Sequence, residues 1–154
     1  MKGANVVLAA RSLEKLEQIC SDIKKSGGSA LAVPTDITQE NDCKNLINLT
    51  IQNFHTIDML ILNAGVSMWA PFEEIEDVSF FNDIMNVNYM GSVYCVHAAL
   101  PELKKSKGKI VSITTAQAII GFAHHAGYSA SKHALHGFLE TLDMELEGAV
   151  GFMN

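Results

Sequence analysis

The sequence predicts an α/β fold in which helices cover both faces of a parallel sheet. Short, nearly continuous apolar runs recur along the chain: Val6 to Ala10, Ala30 to Val33, Ile57 to Leu62 and Ile110 to Thr114. Unbroken apolar strands are those buried on both faces. Longer stretches with apolar residues at helical spacing separate these runs, so strand and helix alternate. No linker, repeat or low-complexity segment interrupts residues 1–154, which read as a single domain.

Val6 to Ala10 forms the first strand. Ser12 is placed to cap the following helix, in which Leu13, Leu16, Ile19, Cys20 and Ile23 share a face, and Gly27-Gly28 ends it. Ala30 to Val33 is the next strand, closed by Pro34, and a helix follows from Gln39 to Asn53 with Leu46, Ile47 and Leu49. After the strand Ile57 to Leu62, a long helix is expected from Val78 to Lys105. Pro101 lacks an N–H and crowds the preceding turn, so it should kink or end that helix near His97 to Ala99, with a final turn from Pro101 to Lys105. The strand Ile110 to Thr114 and a helix from Gly127 to Glu147 complete the pattern, and Val150 to Met153 reads as the start of a further strand.

Composition narrows the function. The chain is 48% hydrophobic and 18% charged, which fits a globular domain rather than a disordered one. A formal net charge of -6 argues against nucleic acid, which calls for a basic face. No apolar run approaches bilayer length, and the start at Met1 has no signal-peptide core. Cys20, Cys43 and Cys95 are few, odd in number and scattered, as expected for reduced thiols in a cytosol-like compartment. Any membrane anchor would precede Met1.

The most informative residues are Tyr128 and Lys132, in Gly127-Tyr128-Ser129-Ala130-Ser131-Lys132. On a helix, positions four apart share a face. An ammonium beside a phenol favours the phenolate, and such a tyrosine can exchange a proton with an alcohol or carbonyl oxygen. Arg11, Asp36, Asn63 and Thr115 each fall just past a predicted strand end, where open parallel sheets bind ligands. No acid lies between Val6 and Ser12, and an arginine at this position suits a ribose 2′-phosphate, so NADP(H) is expected over NAD(H). Arg11 could equally be a solvated side chain, and Asp36 or Thr38 could simply cap the next helix. Gly65 either lets a ligand approach the backbone or supplies a turn with positive φ. Asn88 falls mid-helix, where a short amide is mildly unfavourable. His124, His125, His133 and His136 have no partners at zinc spacing, so no metal site is expected. The loop from Val66 to Phe72, with Met68 and Trp69, and one of His124 or His125 are candidates for lining a substrate pocket. Ordinary surface packing accounts for them equally well.

Together, Asn63-Ala64-Gly65, Asn86-Val87-Asn88-Tyr89-Met90-Gly91, Thr115 and Tyr128 to Lys132 resemble the short-chain dehydrogenase/reductase family over nearly the whole chain, from Gly3 to about Glu147. The resemblance implies a Rossmann-like doubly wound sheet. It also implies hydride transfer between a nicotinamide and a secondary alcohol or ketone. Tyr128 would be the acid/base. Lys132 would tune Tyr128 and hold the nicotinamide ribose, Thr115 would bind the substrate oxygen where the family usually has serine, and Asn88 would hold a water in a proton relay. Arg11, Asp36, Asn63, Ala64 and Gly65 would contact the cofactor, with Asp36 at the adenine. The stretch Ala98 to Pro101 with Tyr128 to Gly137 leans towards the hydroxysteroid-dehydrogenase-like branch and a small lipophilic substrate, steroid- or retinoid-like. The resemblance further implies that the first strand with its glycine-rich turn, and the C-terminal strands, are absent. The alternative is an inactive fragment acting as an interaction module or homodimer through the two long helices, along Val93, Val96, Leu100, Leu135, Phe138, Leu139 and Leu142.

Overall fold

A computed structural model describes residues 3–153. The reading of Met1 as a start without a leader lies outside them. The elements run β1 (Asn5–Ala10), α1 (Leu13–Lys25), β2 (Ser29–Pro34), α2 (Glu40–Phe54), β3 (Met59–Leu62), α3 (Phe80–Met85), α4 (Gly91–Ser106), β4 (Lys109–Ser112), α5 (Ala126–Leu146) and β5 (Gly151–Met153). Each expected strand and helix is present within a few residues. This is an incomplete Rossmann-like fold.

Local chemistry explains the boundaries. Ser12 occupies the cap position of α1 with extended backbone, but only its carbonyl is used, accepting from Leu16 N at 3.2 Å; its hydroxyl makes no capping bond. Gly27 takes φ 78° past the end of α1, a left-handed turn that glycine enters without strain. His55 ends α2 in the same region, with φ 65°.

The long helix differs from expectation. Its break falls in a π-helical turn, Asn86–Met90, between α3 and α4, and α4 runs through Pro101 to Ser106. The lost backbone bond at Pro101 is offset by packing: Val96, Ala99 and Leu103 are buried around it. The π turn needs one extra residue per turn, and such bulges often accompany functional positions.

The sheet is divided. β1 and β2 pair in parallel, with Val7 opposite Leu31, while β3, β4 and β5 form a second parallel sheet, with Ile61 opposite Val111. Among the described residues no strand joins β1 to β3. Burial on both strand faces therefore fails at this edge, where Met59 is 51% and Ile61 56% exposed. The core lies around α2, α4, α5 and the second sheet, and includes Ile47, Leu62, Val96, Leu103, Ile110, Leu139 and Val150. At the packed interface of α2 and α4 the thiols of Cys43 and Cys95 lie 3.5 Å apart. All three cysteines are free and buried. Of the expected helix seam, Val96, Leu135 and Leu139 are spent on this core, and Leu100, Phe138 and Leu142 pack against it half-buried.

Candidate active site

The site begins at the carboxyl ends of β3 and β4. Leu62 is buried at the end of β3, and the chain then turns out through Asn63, Ala64 and Gly65. Ile113 N donates to Leu62 O at 3.0 Å, which keeps the chain leaving β4 beside the chain leaving β3. α5 delivers Tyr128 and Lys132 to the same place. A cavity of about 210 Å³ is lined by Asn63, Gly65, Val66, Ser67, Ile113, Thr114, Tyr128 and Lys132.

Within it, Lys132 Nζ lies 5.8 Å from the centre of the Tyr128 ring and 3.5 Å from Ile113 O. Lys132 is buried, and no carboxylate forms an ion pair with it among the described residues. Burial pushes its ammonium below the usual lysine range.

Asn88 anchors the floor. It is fully buried, and its amide accepts from Val66 N at 2.8 Å, donates to Val66 O at 2.8 Å and donates to Ser131 Oγ at 2.9 Å. Ser131 Oγ in turn donates to Tyr128 O at 2.8 Å. One side chain on the π turn thus joins the loop after β3 to the turn of α5 that carries Tyr128 and Lys132. A Cβ on Gly65 would lie 3.3 Å from Asn88 Oδ1 and 3.8 Å from Lys132 Nζ. Gly65 is not among the residues with positive φ, so its smallness, not its backbone freedom, is what the site uses.

Thr115 stands just beyond the cavity lining. Its backbone is extended, and its hydroxyl accepts from Gln117 N at 3.5 Å, capping a short 3-10 turn. Thr114 supplies the lining residue from that segment. Ala64 is exposed between Asn63 and Gly65 and is not part of the lining. Arg11 and Asp36 lie apart from the cavity, at the ends of β1 and β2. Asp36 accepts from Thr38 N at 3.0 Å and Thr38 Oγ1 at 2.8 Å, and these bonds, with the nearby Arg11 charge, hold its carboxyl below the usual range. No cluster of metal-ligating side chains occurs among the described residues.

The family model for short chain dehydrogenase matches residues 1–150. The chain belongs to that family. One relative, 11-beta-hydroxysteroid dehydrogenase-like 2 of Arabidopsis thaliana, is 42% identical over 146 residues, covering 94% of this chain and 47% of the relative. The chain therefore spans about half the length of that curated relative. A metagenomic short-chain oxidoreductase solved in complex with NADP is 27% identical with a TM-score of 0.89, over 97% of this chain and 69% of that one. A short chain dehydrogenase/reductase of Burkholderia phymatum solved in complex with NAD is 24% identical with a TM-score of 0.90, over 96% and 54%, a likeness of fold. Membership of the short chain dehydrogenases makes this an oxidoreductase-type, NAD(P)-binding fold by resemblance.

Two contacts of the candidate site, those of Ser131 Oγ and of the Val66 backbone with Asn88, were not read from the sequence. Ser131 stands inside the quoted motif, and a serine within a helix is itself a cue. Val66 takes part through its backbone, for which a sequence has no signal.

Proposed function

We propose that this chain is the NAD(P)-binding and catalytic middle of an oxidoreductase that interconverts a secondary alcohol and a ketone, one domain with NADP(H) favoured over NAD(H). The observation that carries this reading is the meeting of Tyr128, Lys132 and Gly65 in one cavity. The residues present suit a nicotinamide nucleotide: Gly65 leaves space beside Lys132, whose buried ammonium has no anionic partner among the described residues and can bond ribose hydroxyls. When bound, that cofactor supplies or accepts the hydride.

Tyr128 donates a proton to the substrate oxygen, or removes one in the reverse direction. Lys132, its Nζ 5.8 Å from the centre of the Tyr128 ring, holds a positive charge beside the reacting oxygen when protonated. A threonine hydroxyl from the segment leaving β4, Thr114 in the lining or Thr115 just beyond it, steadies the substrate oxygen. Asn88 acts by holding the loop and α5 in register, and support of a proton relay would run through its backbone, since its side chain is engaged. Arg11 would meet the 2′-phosphate, Asp36 the adenine side, and Asn63 and Ala64 the cofactor's path along the sheet edge. A small lipophilic, steroid-like substrate is supported by the printed name of the Arabidopsis relative and by the charge-free segments 63–72 and 113–127. Three free thiols suit a reducing, cytosol-like compartment. No helix among the described residues is long and apolar enough to cross a membrane.

A second reading, an inactive module pairing through α4 and α5 as a homodimer, rests on Leu100, Phe138 and Leu142, which are only half-buried. NADPH titration and ketone reduction, with wild type and Tyr128→Phe, separate the two. The enzyme reading expects saturable binding and a loss of reduction by about 100-fold or more in the variant. A folded dimer that binds neither cofactor supports the module.

A further inference from the structure

Trp69, His125 and Tyr128 form a row of rings leading away from the cavity. The His125 ring meets Trp69 edge-on at 4.8 Å between centres and lies 6.2 Å from the Tyr128 ring. The two loops that carry them are tied together, since Ala70 N donates to His124 O at 3.0 Å, and His124 takes a left-handed backbone with φ 66°. Trp69 is 76% exposed, a large aromatic left uncovered at the end of the row. Its segment and that of His125, 63–72 and 113–127, contain no Asp, Glu, Lys or Arg. His125 Nδ1 donates to Ala123 O at 3.0 Å, because a carbonyl oxygen only accepts. In the neutral ring this leaves Nε2 as an acceptor, and it has no protein partner among the described residues.

We propose that His125 is a specificity-determining residue that contacts the substrate. Its Nε2 accepts a hydrogen bond from a hydroxyl on a flat, uncharged ring system whose reacting carbonyl lies at Tyr128, while Trp69 covers the far ring. The substrate class is therefore a hydroxylated fused-ring ketone. The proposal rests on Tyr128 being the reacting end. It explains why an imidazole, rather than another apolar side chain, stands between the indole and the phenol. A site built to pair a hydroxyl discriminates against the analogue that lacks it.

Trp69 is the chain's single tryptophan, so its fluorescence reads the row directly. Hydroxydecalone and decalone, both lacking aromatic absorption, are titrated separately into the wild-type chain. The hydroxylated probe is expected to bind at least about fivefold more tightly. His125→Phe keeps a ring but no nitrogen, and should bring the two affinities within about twofold. His125→Gln restores an acceptor and should recover part of the preference. Circular dichroism checks that each variant folds. Equal affinities in wild type, no binding of either probe, or a preference that survives His125→Phe would each overturn the proposal. Tyr128→Phe separates this outcome from the catalytic reading. Ketone reduction would be lost there with the hydroxyl preference retained, whereas intact reduction would refute the role of Tyr128 alone.

Discussion

The amide of Asn88 grips the backbone of Val66 from both sides, accepting from its N–H and donating to its carbonyl at 2.8 Å each. Asn88→Ala leaves the half-buried Val66 N–H and carbonyl without their partner, and takes one bond from the buried Ser131 Oγ, which keeps its bond to Tyr128 O. A buried unpaired polar group costs about 1–3 kcal/mol. Part of this is recovered as water enters, so a loss of about 3 kcal/mol is expected in urea unfolding. A loss below about 0.5 kcal/mol would show that the pin is dispensable.

Two glycines separate ligand access from packing. Gly91→Ala would place a Cβ 2.6 Å from Ile37 Cδ1 and 3.1 Å from the Ile37 carbonyl oxygen, and backbone cannot yield cheaply. It should destabilise by about 1–3 kcal/mol. Gly65→Ala would bring a Cβ within 3.3 Å of Asn88 Oδ1, which its hydrogen bonds hold in place, and 3.8 Å of Lys132 Nζ, so only a few tenths of an ångström must be yielded and the cost should be about 1 kcal/mol. NADPH affinity should nevertheless fall by at least about tenfold, because the methyl enters the cavity. Equal effects of the two variants on stability would contradict this assignment.

Lys132 pits function against folding. Burial lowers its folded pKa, so the charged form is penalised in the fold below the unfolded value of about 10.4. Lys132→Met should match or exceed wild-type stability at pH 7, by up to about 1–2 kcal/mol, while abolishing reduction. The difference should shrink as the pH rises towards about 10. Thermal melts at pH 7 and pH 9.5 check this, and a variant markedly less stable at both would refute it.

Asp36 gives the opposite sign. Its folded pKa is depressed, first by the Thr38 hydroxyl, then by the Thr38 N–H, with Arg11 assisting. Its contribution is present above the unfolded value of about 3.9 and is lost as the pH falls through the folded one. Thr38→Val should therefore be less stable than wild type at pH 7, by under about 1 kcal/mol because the group is partly open to solvent. The two should converge below about pH 4. An unchanged gap from pH 7 to pH 3 would count against it.

Apolar runs and helical spacing made the strands and helices legible, because both reflect burial, which composition records. Pro101 misled, since one lost backbone bond is outweighed by the packing of Val96, Ala99 and Leu103, which only tertiary structure provides. Asn88 was legible as a misfit in a helix, but its partner is a backbone 22 residues away, and no local pattern encodes that distance. Thr115 was expected to bind the substrate oxygen only through the family resemblance. The chain leaving β4 instead turns Thr114 into the cavity lining and gives Thr115 a capping bond to Gln117. The division of the sheet was expected only through the family resemblance, because an apolar run does not say which strand it pairs with.

The open sides of β1 and β3 have a practical consequence. Each presents a ladder of amides and carbonyls flanked by uncovered side chains such as Met59 and Ile61, an invitation to any extended polypeptide. Among the described residues each border is left free to accept one further strand, and a segment that paired with both would merge the two sheets into one.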